Sequence, residues 1–194
     1  MKDPRRTLPL LGAAIAVATV SLLQMNHVRA AATVDADYYS ALEAFGDVCI
    51  KSADPGEMLR KVRIKGWETL EDDTVPAVVR GNGAVRFAEV RRGQIEGRPV
   101  ILAVGGSSGT SFCRVYFHAI DQAAMETRLR YVKVLGSPLS APDFRGPLNF
   151  PEGWSAVGWH RSVGDQWRAL HYSFDPDGQG PNAAWQSIEI TRKA

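Results

Sequence analysis

Two cysteines, Cys49 and Cys113, stand 64 positions apart behind a leader that directs the chain to an oxidising compartment. The leader is residues 1–32. Lys2, Arg5 and Arg6 open it, and Leu8 to Leu23 follow as an uncharged apolar run. Val28-Arg29-Ala30-Ala31-Ala32 then places small residues where cleavage after Ala32 or Ala30 requires them. The apolar run is shorter than the roughly 20 residues of a spanning helix, and Pro9 and Gly12 interrupt it, so a retained anchor is the weaker reading. Arg5-Arg6-Thr7-Leu8 also hints at twin-arginine export. The expected location is periplasmic or secreted, where paired thiols oxidise.

In that setting the two cysteines read as one structural disulfide. Tyr38, Leu42, Phe45 and Cys49 recur at spacings of four, three and four, which puts Cys49 on the apolar stripe of a first helix. Cys113 alternates with Val115 and Phe117 on one face of a strand, while Arg114, Tyr116 and His118 face the other way. Both thiols therefore point into one core from opposite layers. A C-x-x-C pair or a thiolate beside a cation, which redox or nucleophilic chemistry calls for, is not visible.

The elements follow from local signals. Asp35 to Ser52 reads as the first helix. Asp54-Pro55-Gly56-Glu57 has an N-cap, a proline at the first helical position and a capping-box glutamate, so a second helix starts there and stops at Gly66. After an acidic loop at 68–73, the period changes to two. Strands are expected at 84–91, 99–104 and 111–120, the middle one apolar throughout and so covered on both faces. Asp121 caps a third helix running to about Leu135, and residues 137–153 read as a proline-rich loop. Three more strands are expected near 155–163, 166–174 and 184–192. The order α-α-β-β-β-α-β-β-β, with short links, predicts an α+β fold: an antiparallel sheet of about six strands with helices on one face.

Removing the leader leaves residues 33–194, enough for a single α+β domain with a sizeable core. It also changes the sign of the charge. The whole chain is +2, but the leader carries four cations against one acid, which leaves 19 basic and 20 acidic residues. The basic balance belongs to the leader, and nucleic acid is not an expected partner. No second apolar stretch is long enough to span a bilayer, so no stable membrane insertion is expected after cleavage.

Several constellations can carry chemistry. Gly105-Gly106-Ser107-Ser108-Gly109 satisfies G-x-S-x-G after an apolar strand, and with His171 it outlines a small serine hydrolase. The following Thr110 to Ile120 has a strand period, however, so the turn reads as a hairpin link and not a nucleophile elbow. A second hairpin turns at Gly164-Asp165. Its register sets His160 opposite Ala169 and His171 opposite Gly158, on one face with Trp167, a surface suited to a metal or a small planar ligand. The same register sets Arg161 opposite Arg168, an unfavourable like-charge pair. Asp175-Pro176-Asp177-Gly178 resembles a calcium loop, but Gln186 stands where the closing glutamate belongs. Four of the five tryptophans fall from Trp154 onward; at strand spacing they read as core before they read as a sugar platform.

Phe45-x-x-x-Cys49, the Gly66-Trp67 helix ending and Cys113-x-Val115 together resemble a group of small exported bacterial α+β proteins with one cysteine pair and no assigned activity. The resemblance spans about Tyr38 to Leu135 and implies the α+β fold and the Cys49–Cys113 bridge, but no catalytic residue. The expectation is an exported binding or accessory protein for an unknown protein or small-molecule ligand, without catalysis or cofactor. The hydrolase with Ser107 and His171 and a His160/His171 metal module are the alternatives.

Overall fold

The computed structural model describes residues 38–52, 54–71, 73–80, 87–107, 109–149 and 151–193. The leader assigned to residues 1–32 lies outside them. Four helices are present among the described residues. Helix α1 covers residues 38–44 and continues, with a wider turn, as the π-helical Phe45–Ile50; α2 is Pro55–Ile64, α3 Ala77–Arg80 and α4 Gln122–Leu129. The strands are β1 (Glu68–Thr69), β2 (Phe87–Ile95), β3 (Arg98–Ser107), β4 (Thr110–His118), β5 (Lys133–Val134), β6 (Ser137–Pro138), β7 (Phe144–Pro147), β8 (Ser155–Val163), β9 (Gln166–Phe174) and β10 (Trp185–Lys193).

Local signals act where the sequence places them. The Asp54 carboxylate accepts the Glu57 backbone N–H at 2.9 Å with Pro55 behind it, and Asp121 accepts the Ala124 N–H at 2.7 Å. The third helix is shorter than expected. It ends at Leu129, where the Tyr131 and Val132 N–H groups donate three residues back to the Arg128 and Leu129 carbonyls, and Leu135 and Gly136, both at positive φ (50° and 82°), then turn the chain through the small β5–β6 hairpin.

The main sheet has eight strands in the order β1-β2-β3-β4-β10-β9-β8-β7, and every pairing is antiparallel. The expected six strands are all present, though residues 84–86, the expected start of the first, lie outside the described residues. The two additions, β1 and β7, are an edge strand of two residues and one of four, too short to show a period of two in the sequence. Short edges also leave little unpaired backbone for another chain to join. Two meanders, β1 to β4 and β7 to β10, meet at a single seam where β4 pairs with β10 over nine residues.

One sheet face carries the main core. Val100, Leu102, Val104, Val115, Trp159, Leu170, Ile188 and Ile190 pack there with Phe45 and Val48 of α1, Met58 and Val62 of α2, and Met125 and Leu129 of α4. Helix packing is not confined to that side. The short α3 contributes Val78 and Val79 to a second cluster with Val90, Ile101, Ala103, Tyr116 and Trp154 on the opposite face. Strand β3 is thus buried on both sides, which accounts for its unbroken run of apolar residues.

Cys49 and Cys113 are joined, sulfur to sulfur at 2.02 Å with Cα atoms 5.5 Å apart, and neither is exposed. The bond ties α1 to β4, next to the seam. Closing a loop of this length removes chain entropy worth about 4 kcal/mol. Cys49→Ala/Cys113→Ala is therefore expected to lose about 3–4 kcal/mol, a fall in melting temperature of roughly 10 °C for a domain of this size. Thermal denaturation of the oxidised protein and the variant checks it, and equal melting temperatures would refute it.

Candidate functional site

On the face away from α1, α2 and α4, the register lines residues up in transverse rows. One runs Phe144, Gly158, His171, Glu189, Arg114, Ala103, Val90; the next runs Gly146, Ala156, Ser173, Ser187, Tyr116, Ile101, Arg92. Small residues therefore occupy the β7–β10 side of this face and leave a depression. Leu148, Pro151 and Trp154 fold over it. They are tied to one another through the Leu148 N–H to the Trp154 carbonyl (2.7 Å) and the Trp154 N–H to the Pro151 carbonyl (3.1 Å). The result is a cavity of about 130 Å³ lined by Leu148, Pro151, Trp154 and Phe144 and by Arg114, Tyr116, His171, Ser173, Ser187 and Glu189.

Space for His171 depends on a glycine. A Cβ at residue 158 would come within 2.7 Å of His171 Cδ2 and 3.1 Å of its Nε2. The absent side chain is what lets the imidazole lie across β8 toward the cavity.

A tightly held charge pair forms the polar wall. Arg114 Nε donates to Glu189 Oε2 at 2.6 Å, Arg114 Nη2 contacts the same oxygen, and Arg114 Nη1 donates to the Tyr116 hydroxyl at 3.0 Å. Glu189 Oε1 accepts from the Thr191 hydroxyl at 2.9 Å and lies 4.0 Å from His171 Nδ1. Burial opposes the charge on Glu189, but Arg114, with His171 and Thr191 adding to it, prevails and holds the carboxyl down to about 2. Burial likewise opposes the Arg114 charge, and Glu189 and Tyr116 hold its guanidinium above the ordinary value. Burial pushes the Tyr116 hydroxyl up, so it stays protonated.

This wall has few acceptors to spare and several donors. Both Glu189 oxygens are engaged, whereas Tyr116, accepting from Arg114, keeps its own O–H to give. Trp154, which also lines the cavity, has a buried indole N–H with no acceptor among the described residues. The arrangement suits a compact ligand that brings hydrogen-bond acceptors to an apolar, aromatic-walled slot.

The structure brings some sequence-singled residues together and separates others. His160 lies opposite Ala169 and His171 opposite Gly158, with imidazole centroids 6.2 Å apart and the Trp167 ring 6.1 Å from His160. His171 reaches the cavity, and His160 stands outside it beside Asp143 at 3.8 Å. Among the described residues, no three His, Cys, Asp or Glu side chains are grouped to hold a metal ion. Ser107 pairs with Thr110 across the β3–β4 hairpin, so its turn leads into a strand. Three strand spacings and four residue rises separate its backbone from that of His171, about 20 Å. The calcium-like loop is closed from within: Asp175 accepts the N–H groups of Asp177, Gly178 and Gly180 at 3.0, 3.0 and 2.7 Å. Gln186 is buried and committed, accepting from the Tyr172 hydroxyl and donating to the Ile120 carbonyl. Of the late tryptophans, Trp154 and Trp159 are buried, and Trp185 stacks on His118 at 4.7 Å.

Arg114, Tyr116, Trp154 and Glu189 are the site residues that sequence reasoning did not single out. The alternation of β4 shows that Arg114 and Tyr116 face away from the main core, but Glu189 is 75 positions further on, and only the β4–β10 pairing makes them neighbours.

Comparison with known proteins brings no match: no family model, no curated protein and no solved structure matches the chain.

Two outcomes test this wall. Glu189→Gln strands the half-buried Arg114 and is expected to cost about 2 kcal/mol near neutral pH. A folded carboxyl at about 2 lies below the roughly 4.3 of an unfolded glutamate. The stabilisation is therefore full above the unfolded value and is lost as pH falls through the folded one. Urea denaturation of both proteins is expected to show a gap that narrows from about pH 5 to pH 2; a gap independent of pH refutes it. Gly158→Ala is expected to displace the His171 imidazole, seen as a shift of its ring resonances with those of His118 unmoved.

Proposed function

We propose that this chain is an exported, non-catalytic binding protein that holds a small ligand in the cavity over β8, β9, β10 and β4. The observation that carries the reading is the donor-rich wall of Arg114, Tyr116 and Trp154 facing a slot with aromatic and aliphatic sides. Glu189 neutralises Arg114, so the slot does not demand a multiply charged guest. At about 130 Å³ it is well under the roughly 300 Å³ of a drug-sized pocket, which fits a single-ring molecule bearing a carboxylate, amide or ketone. Export is supported by the leader pattern at residues 1–32 and by the Cys49–Cys113 bond. The likeness to small exported bacterial proteins points the same way. Among the described residues no helix is long and apolar enough to cross a membrane.

The test is saturation-transfer NMR of the processed protein with benzoate, benzamide and acetophenone. Saturable transfer to at least one is expected, and Ser187→Phe, which fills the floor of the slot, is expected to abolish it while the melting temperature stays within a few degrees. Transfer that persists in Ser187→Phe, or its absence across all three, defeats the proposal. Stable labelling of Ser107 by a fluorophosphonate would instead establish the hydrolase.

A further inference from the structure

On the helix side of the sheet, away from the cavity, one row of arginines has no carboxylate within ion-pairing distance among the described residues. Arg161, Arg168 and Arg192 stand opposite one another on β8, β9 and β10. They share the strand face of Trp159, Leu170 and Ile190, two residues away on each strand, so all three side chains leave the sheet on the α1–α2 side. Adjacent strands are about 4.8 Å apart, which puts the outer two Cα atoms about 10 Å from each other. Like charges directly opposite across strands repel.

Their partners are all neutral. Arg161 donates to the His160 carbonyl and the Ser140 hydroxyl, each at 2.8 Å; Arg168 donates to the Trp167 carbonyl at 2.8 Å; Arg192 donates to the Cys49 carbonyl. Among the described residues no carboxylate lies within ion-pairing distance of any of the three. The acids whose field reaches Arg192 are Glu57 and Asp54, and both are occupied. Glu57 pairs with Lys61 at 3.3 Å, and Asp54 caps α2.

Exposure falls along the row from the half-buried Arg161 and Arg168 to Arg192 at 3%. Among the described residues, Arg192 Nε and Nη1 are buried without acceptors, and the hydroxyl of Ser52, three residues past the carbonyl that Arg192 reaches, is buried without a partner. Burial first, and the Arg168 charge second, lower the Arg192 guanidinium to about 10, so it is still cationic at neutral pH. A buried cation beside two others, with donors left over, is the complement of a multiply charged acceptor.

We infer that the Arg161–Arg168–Arg192 row is a binding site for a phosphate-type oxyanion, with Arg161 and Arg168 at its open end and Arg192 at its closed end. Guanidinium forks match phosphate oxygens in pairs, and a phosphate offers more acceptor oxygens to three such forks than a carboxylate does. The site lies on the opposite sheet face from the cavity, so its test is independent of the ligand proposed there.

Thermal melting and the arginine Nε–Hε resonances are followed as the processed protein is titrated with inorganic phosphate, against chloride at matched ionic strength. Phosphate is expected to raise the melting temperature saturably and to shift the Arg192 resonance. Arg168→Gln and Arg161→Gln are each expected to weaken phosphate about tenfold, the loss of one charge-assisted contact. Arg168→Gln should also match or exceed the native melting temperature in phosphate-free buffer, because it relieves repulsion. Arg92→Gln, whose native partner is Glu68 at 2.9 Å, leaves the phosphate response intact. Glycerol phosphate run in parallel distinguishes an esterified phosphate, if it binds tighter, from the free ion, if it binds more weakly. Equal responses to phosphate and chloride overturn the inference, as does unchanged phosphate affinity in both Arg168→Gln and Arg161→Gln.

Discussion

The pairing of β4 with β10 is the contact on which the rest of the molecule depends. It joins the two meanders into one sheet and brings together strands whose paired residues are as many as 83 positions apart in the chain, from Thr110 to Lys193. Contacts of that separation carry a closure cost that local turns do not supply. The Cys49–Cys113 bond bears on the same point. Cys113 lies on β4 opposite Ile190 of β10, and tying it to α1 sets the helical layer against the strand that forms the seam. Each side of the seam then becomes a different surface: core toward the helices, and the Arg114–Glu189 row away from them.

That outer row is an expensive way to build a sheet face. A buried ion pair returns little net stability over an apolar pair of the same volume, and losing one partner is far worse than having neither. Here Arg114 is spread over Glu189 and Tyr116, and Glu189 over Arg114 and Thr191, so the pair is well satisfied. The same strands around it carry glycine, alanine and serine where larger side chains would fill the space. Polar rigidity next to deliberately unfilled volume describes a preorganised recess better than it describes a core.

How much of this was legible follows from the range over which each signal acts. Caps, turns and periods are local, so α2, the start of α4 and the three C-terminal strands can be read from Asp54, Asp121 and the alternation after Trp154. The end of α4 is not legible, because Met125, Leu129 and Val132 keep helical spacing past the true stop, while Leu135 and Gly136 encode a hairpin in two residues. The His160–His171 hairpin register follows from its turn. The β4–β10 register does not, because no turn joins the two strands, and with it went Glu189, a single acid between two isoleucines. Gly158 is another such case: in the sequence it is a glycine in a strand, and its purpose appears only when His171 lies beside it.

The contrast between the molecule's arginines sharpens the functional reading. Arg63 and Arg91 meet Glu89, Arg92 meets Glu68, Arg114 meets Glu189 and Arg145 meets Glu126. With charges nearly balanced overall, pairing of this kind is available to most cations in the chain. Arg161, Arg168 and Arg192 depart from it together, in register, with the deepest of them the least satisfied. One stranded arginine can be an accident of packing. Three in a transverse row require that each strand keep its cation where repulsion is greatest, and a sheet gains nothing from that arrangement by itself. An oxyanion bound along the row, as inferred above, offsets that repulsion, and the inferred site and the cavity then lie on opposite faces of one sheet, one cationic and one nearly neutral.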